Sequence, residues 1–240
     1  MKGALEKKIA VVTGGSGAIG SAIIAGLEQQ GASAVSLDVS RPAGAAALFE
    51  ACDVRDDRSL ASAIAKVRDT YGRLDLVVHA AGVSREAVIW KLAVEDWDFV
   101  QSVNLRGAFL LLRHAIPVMR AGEGGRIVLI GSINGSRGKF GTSAYSASKA
   151  GLIALAKTVA REVARLRILI NVVEPGWVRT PLTDSLPQAV RDAALAENLV
   201  GKYVEPVDVA AAVTFLCGAG AQQITGQILR VDGGQSLGNA

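Results

Sequence analysis

Aromatic residues are scarce in this chain of 240 residues, where Phe, Tyr and Trp together make up 5%. Half of the residues are hydrophobic, so the core must be built from Ala, Val, Ile and Leu. That mixture suits buried parallel strands covered by small-residue helices. With two histidines in all, a histidine-based metal site is not expected. The two cysteines, Cys52 and Cys217, stand far apart with no metal-ligand spacing around them. One closes a strand-like run and the other a helical one, which predicts buried free thiols in a reducing cytoplasm. Proline is limited to 6 residues and no Ser- or Pro-rich linker interrupts the chain, which points to one domain over residues 1–240. No apolar run approaches the ~18 residues of a membrane span. The opening MKGALEKKIAVVTGG lacks a signal peptide's long apolar stretch and cleavage site. A cytoplasmic protein with no membrane partner is therefore expected. Charge asymmetry is small as well: 26 basic against 22 acidic residues give +4 with no Lys/Arg run. The dense basic stripe with stacking aromatics that a nucleic-acid partner requires is missing.

What the chain does contain is alternation. Strand-like runs at Lys8 to Thr13, Ser33 to Asp38, 74–80, RIVLIGS and RILINVVEPG are separated by helical patterns over Ile19 to Gln30, Arg58 to Tyr71, 96–119 and from Thr142 onward. An Ala-rich link leads into FEACDV, and helices over Pro187 to Glu197 and Pro206 to Leu216 precede a last strand, QILRVDGG. Such alternation predicts an α/β fold of the doubly wound, Rossmann type, a parallel sheet with helices on both faces.

The first crossover carries a glycine cluster, VVTGGSGAIG, between strand and helix. Glycines there let backbone N–H groups approach a pyrophosphate at a helix N-terminus. Asp38 ends the next strand eighteen residues after Gly20, where a carboxylate accepts hydrogen bonds from an adenosine ribose. Taken alone, Asp38 would be an ordinary turn residue. Farther on, TSAYSASKAG places Tyr145 four residues before Lys149, so the two share one helical face. An isolated pair of this kind is usually a surface hydrogen bond. The sharper reading is acid–base chemistry, because a nearby cation favours phenolate and the phenol still returns its proton, and the pair alone does not decide between the two.

Together these features resemble the short-chain dehydrogenase/reductase family, nearly end to end, from VTGGSGAIG to ITGQILRVDGG. The family's motif Thr-Gly-x-x-x-Gly-x-Gly aligns with Thr13, Gly14 and Gly20, with Ala18 in place of its middle glycine. The resemblance assigns Gly14, Ser16, Ile19 and Gly20 to cofactor binding. In CDV, Asp53 would reach the adenine amine and Val54 would pack nearby. HAAG stands where the family shows Asn-Asn-Ala-Gly, so Ala81 and Gly82 match while His79 and Ala80 replace asparagines; His79 is read as a hydrogen-bonded structural residue. Ser132 would bind the substrate oxygen and Tyr145, thirteen residues on, would be the general acid or base. Lys149 would hold the ribose hydroxyls and lower the tyrosine pKa, and Asn104 would fix a water linking Lys149 to solvent. PGWVRT would seat the nicotinamide with Pro175, Gly176, Val178 and Thr180.

The implied activity is a nicotinamide-dependent exchange between a secondary alcohol and a ketone. The segments AGVSREAVIWKL and SINGSRGKFGTSAYSASKAG look most like those of 3-oxoacyl thioester reductases acting on acyl carrier protein or CoA substrates. A dehydrogenase of a cyclic or other secondary alcohol is the alternative. A dinucleotide-binding subunit that supports a catalytic partner is the reading from another class, and the intact Ser132, Tyr145 and Lys149 weigh against it. Arg165 and Arg167 flank Leu166 where relatives place one arginine followed by glycine, a shift that bears on carrier-protein docking. Arg106, Arg113 and Arg120 recur every seven residues and are read as a solvated or interface stripe. NAD is expected over NADP, because Gly17 and Val39 occupy the positions where phosphate-preferring relatives offer a cation. Arg41 is the one nearby cation that could swing back. A homotetramer is expected as well. Ala150, Ile153, Ala154, Ala156, Val159 and Val163 make the Tyr145 helix apolar over an arc wider than one sheet face covers.

Overall fold

The computed structural model describes residues 3–41 and 48–238, so the Ala-rich link lies outside the described residues. Among them, seven strands form one parallel sheet in the order β3-β2-β1-β4-β5-β6-β7. The strands are β1 (Ile9–Thr13), β2 (Ser33–Asp38), β3 (Leu48–Ala51), β4 (Leu76–His79), β5 (Gly125–Ile130), β6 (Ile168–Pro175) and β7 (Ile228–Val231). The helices are α1 (Ala18–Gln29), α2 (Asp57–Tyr71), α3 (Val94–Gln101), α4 (Gly107–Ala121), α5 (Ile133–Arg137), α6 (Ser143–Val163), α7 (Pro181–Asp184), α8 (Gln188–Ala196) and α9 (Pro206–Cys217).

The strand sequences explain the two layers. Side chains alternate faces along a strand, and here both faces are apolar. Val11, Val35, Val77, Ile127 and Ile170 sit side by side in register and pack with the helices α2, α4 and α6. Their neighbours Ala10, Val12, Val78 and Val128 turn to the opposite face and pack with α1 and α9. Gly26 of α1 faces Thr214 and Ala210, which lets α1 and α9 approach closely. Both cysteines are free and buried in this core, and Pro206 opens α9 in its first turn. No described helix is long and apolar enough to cross a membrane.

Three elements depart from the sequence expectation, among them α7, which no expected helix covers. The helix expected over 96–119 is divided: a π-helical turn, Ser102–Arg106, joins α3 to α4. The apolar period runs on across that turn, so a one-residue slip leaves no trace in the pattern. The segment SINGSR, for which no helix is expected, forms α5, with the Ser132 hydroxyl accepting from the Asn134 amide as its cap.

The chain leaves β1 toward β2 on one side and returns to β4 on the other. That reversal opens a crevice at the C-terminal ends of β1 and β4, where ligands bind in sheets of this type. The opposite end of the sheet is structural. There Asp75, nearly fully buried, accepts from the Ile9 amide at 2.9 Å, Arg73 Nε at 2.8 Å and Lys8 Nζ at 3.1 Å. Burial pushes its pKa up, but Arg73, the Ile9 amide and Lys8 outweigh this and the net shift is downward. A carboxylate whose pKa is depressed on folding stabilises the fold above its unfolded pKa of about 3.9, and that stabilisation is lost as pH falls through the folded value. Asp75→Ala is expected to lower stability at pH 7 by about 2 kcal/mol. It should also flatten the acid limb of the stability curve. Urea unfolding at several pH values measures both, and an unchanged acid limb would remove this role.

Candidate active site

The turn between β1 and α1 is shaped by glycines for close contact. Gly14 has φ 66°, and a side chain there would meet the Ala81 amide nitrogen at 2.6 Å. A methyl on Gly20 would lie 2.1 Å from the Gly14 carbonyl oxygen. Helix α1 begins at Ala18 with Gly17 as its N-cap, and no side chain caps it. Its first-turn amides therefore have no intrahelical partner and, with the helix dipole, suit an anion. Ala18 has ordinary helical backbone, so the methyl in place of the family's glycine introduces no strain. Ile19 follows, half-buried, in the same first turn. These features fit the pyrophosphate of a dinucleotide.

Asp38 lies directly beside this turn. Its Oδ2 accepts from the Ser16 amide at 3.1 Å and its Oδ1 from the Val39 amide at 2.8 Å, while Ser16 Oγ donates to the Ser40 carbonyl at 2.7 Å. The carboxylate is thus fixed with lone pairs left for a ribose diol. Arg41 rests over the Phe49 ring, 5.9 Å from its centroid. Asp53 is engaged by a partner that sequence spacing does not reveal: Arg55 Nη2 lies 2.6 Å from Oδ2, and Arg55 Nε lies 3.0 Å from Oδ1. The Arg55 side chain holds the Asp53 pKa below the usual carboxylate range. Val54 is buried, packed where Gly107 opens α4.

Helix α6 presents Tyr145 and Lys149 to the crevice one turn apart. Lys149 is buried, its Nζ donates to the Ile130 carbonyl at 2.8 Å, and it lies 5.6 Å from the Tyr145 ring centroid. Burial lowers its pKa to about 8. A methyl on Gly82 would sit 3.3 Å from that ammonium nitrogen, so this loop closes directly over it. Tyr145 was expected to have a depressed pKa, and the direction is corrected here. Burial raises it, the Ser132 hydroxyl beside the phenol pulls it down, Glu86 pushes it up, and the net shift is upward. Desolvation of phenolate outweighs the stabilisation that the neighbours supply.

Asn104 sits in the π-helical turn with no exposed surface. Its Oδ1 accepts from the Val83 amide at 2.8 Å, and its Nδ2 donates to the Val83 carbonyl and to Ser148 Oγ, both at 2.9 Å. Ser148 in turn donates to the Tyr145 carbonyl at 2.7 Å. Both ends of the Asn104 side chain are therefore committed to bracing the Gly82–Val83 loop against α6. His79 is structural, as expected from the sequence. Its Nδ1 pairs with Thr13 Oγ1 at 2.9 Å and its Nε2 with the Asn104 carbonyl at 3.2 Å. Burial drives its pKa down to about 3, so the ring is neutral. The bond to a carbonyl then requires the proton on Nε2, which leaves Nδ1 to accept from Thr13.

The far wall follows β6. Pro175 ends the strand, Gly176 packs against Asp232, and Val178 is buried in a bridge to Val204. Thr180 caps α7, forming a capping box with Thr183. Two residues that no sequence motif marks complete this wall: the Gln235 side chain accepts from the Trp177 amide at 2.8 Å, and Lys139 Nζ lies 5.2 Å from the Trp177 ring centroid.

Comparison with known proteins agrees with this arrangement. The family described as enoyl-(acyl carrier protein) reductase matches residues 14–236. A 3-oxoacyl-[acyl-carrier-protein] reductase, FabG, of Thermotoga maritima is 35% identical, covering 96% of this chain and 98% of its own. An acetoacetyl-CoA reductase of Synechocystis sp. is 37% identical over 95% of this chain and 96% of its own. The ligand-free structure of Thermoplasma acidophilum aldohexose dehydrogenase superposes with a TM-score of 0.94 at 30% identity, covering 100% of this chain and 98% of that one. With the glycine turn, the serine, the tyrosine and the lysine gathered at one end of a parallel sheet, this chain belongs to the short-chain dehydrogenase/reductase family, whose oxidoreductases use a nicotinamide dinucleotide.

Proposed function

We propose that this protein is an NAD(H)-dependent oxidoreductase that interconverts 3-hydroxyacyl and 3-oxoacyl thioesters, with Tyr145 as general acid and base. The observation that carries the reading is the placement of Tyr145 beside Ser132 and one helical turn from Lys149, at the strand ends next to the glycine turn. The bound nicotinamide supplies or accepts the hydride. In reduction, the Tyr145 hydroxyl delivers its proton to the carbonyl oxygen as negative charge develops there. Ser132 donates a hydrogen bond to the same oxygen, and the Lys149 cation stabilises the phenolate left behind. The raised Tyr145 pKa keeps the phenol protonated, the form that reduction requires. Alcohol oxidation needs phenolate, so its rate should climb with pH through the neutral and alkaline range.

The thioester assignment is supported by the names of the two reductases at 35% and 37% identity. The second reading, a cyclic alcohol such as a sugar, is supported by the aldohexose dehydrogenase structure. An absorbance assay over acetoacetyl-CoA, longer 3-oxoacyl-CoA, acyl-carrier thioesters and cyclic alcohols separates them. We expect the thioesters to turn over. A rate with cyclic alcohols alone would transfer the assignment to the second reading. Comparing the CoA and carrier forms also decides whether an acyl carrier protein is a partner; Arg165 and Arg167 are both exposed beside that question.

The protein is expected to work as a homotetramer in the cytoplasm. Helix α4 leaves Phe109 47% exposed, and α6 leaves Ala150 and Ala154 at the surface, an apolar face that a second copy would cover. Light scattering at micromolar concentration should report four chains, and a monomer there would refute the assembly.

A further inference from the structure

Behind the PGWVRT segment lies a junction that no motif marks. Gln235, 3% exposed, stands in a short turn after β7, and each polar group of its side chain has a partner. Its Oε1 accepts from the Trp177 amide at 2.8 Å, and its Nε2 donates to Glu197 Oε2 at 3.0 Å. Its backbone carbonyl accepts from Arg137 Nη1 at 3.1 Å, and Arg137 Nη2 reaches the same Glu197 oxygen at 2.8 Å. A methyl on Gly176 would lie 2.7 Å from Gln235 Oε1, so the segment is pressed against this side chain. Three walls of the crevice therefore meet at one residue. They are the segment that follows β6, the residue just after α8, and α5, whose cap is Ser132.

The geometry points to Gln235 as a positioning residue that holds the nicotinamide seat at a fixed distance from Ser132 and Tyr145. This rests on the reading of residues 175–180 as that seat. The physical reason is that the Trp177 amide belongs to the peptide between Gly176 and Trp177, the most easily rotated peptide of the seat. Gln235 supplies its acceptor, and without one this part-buried N–H would turn the peptide toward another partner. Arg137 and Glu197 hold Gln235 itself in place, so a shift of α8 is felt at the seat.

The test uses the whole protein and two probes, NADH and ADP-ribose, which share the adenine half and differ in the nicotinamide. Gln235→Leu removes both amide bonds at similar size, and Gln235→Met fills the same space should the leucine variant not fold. We expect NADH affinity to fall about tenfold while ADP-ribose affinity stays within about twofold, a selective loss that a general loss of folding does not produce. Equal loss of both probes, or no loss of either, would overturn the inference. If the parent binds NADH no more tightly than ADP-ribose, the seat itself is misplaced, and the inference goes with it.

Discussion

Replacing Tyr145 with phenylalanine is expected to lower turnover by ~10²–10⁴-fold, the usual contribution of a positioned acid–base group. Dinucleotide affinity should stay near that of the parent. The substitution removes one oxygen and leaves the ring, so the packing around α6 is preserved. Ser132 still offers its hydrogen bond and Lys149 still donates to the Ile130 carbonyl; what is lost is the proton. Steady-state kinetics paired with a cofactor-binding titration measures both quantities. Near-normal turnover would favour the reading of a dinucleotide-binding subunit whose chemistry lies in a partner. Lys149→Ala should behave differently, weakening binding and rate together, because that ammonium lies under Gly82 and beside the phenol at once.

A second large effect is expected in cofactor choice, with kcat/KM for NAD(H) exceeding that for NADP(H) by roughly a hundredfold. The Asp38 carboxylate is anchored by the Ser16 and Val39 amides at the end of β2. A 2′-phosphate placed there would face it at close range. At an effective dielectric near 20, such a contact costs a few kcal/mol, enough for that ratio. Gly17 and Val39 offer no cation at the positions beside it, and Arg41 lies over the Phe49 ring. Val39 is 69% exposed, so an arginine there fits in solvent. Asp38→Ser with Val39→Arg should therefore shift the preference toward NADP(H). Equal kcat/KM values for the two cofactors in the parent would make Asp38 a turn residue and nothing more.

Much of this site is legible in the sequence because its parts are local. The glycine turn, Asp38 eighteen residues beyond it and the Tyr145–Lys149 spacing each depend on a few neighbouring residues, and each lies in the structure where its spacing places it. What could not be read depends on contacts between distant segments. The Tyr145 pKa moves with burial, and spacing carries no measure of burial. Asp53 is held by Arg55, only two residues away, yet whether such a pair closes depends on what else surrounds it; here the arginine also lies over Phe99. Gln235 has no signal at all, since its role exists only once the C-terminal turn is folded against Trp177 and Glu197. Helix α5 was obscured for the opposite reason. Ser, Asn and Gly favour turns, and one side-chain cap at Ser132 was enough to fold them into a helix.

The π-helical turn at Ser102–Arg106 amounts to one surplus residue wound into an otherwise continuous helix, and it sets the rotational phase of everything after it. Each residue of an α-helix advances about 100° around the axis. Were the same residues wound as regular α-helix, α4 would be rotated by about that angle relative to α3. Leu110 and Leu111, now buried, would swing toward the rim, and Phe109 would leave the surface it now occupies. Asn104 would lose its aim at Val83 and Ser148 in the same movement. The wide turn thus takes up one residue and keeps the aim of Asn104, the buried leucines and the exposed face of α4 in phase with one another.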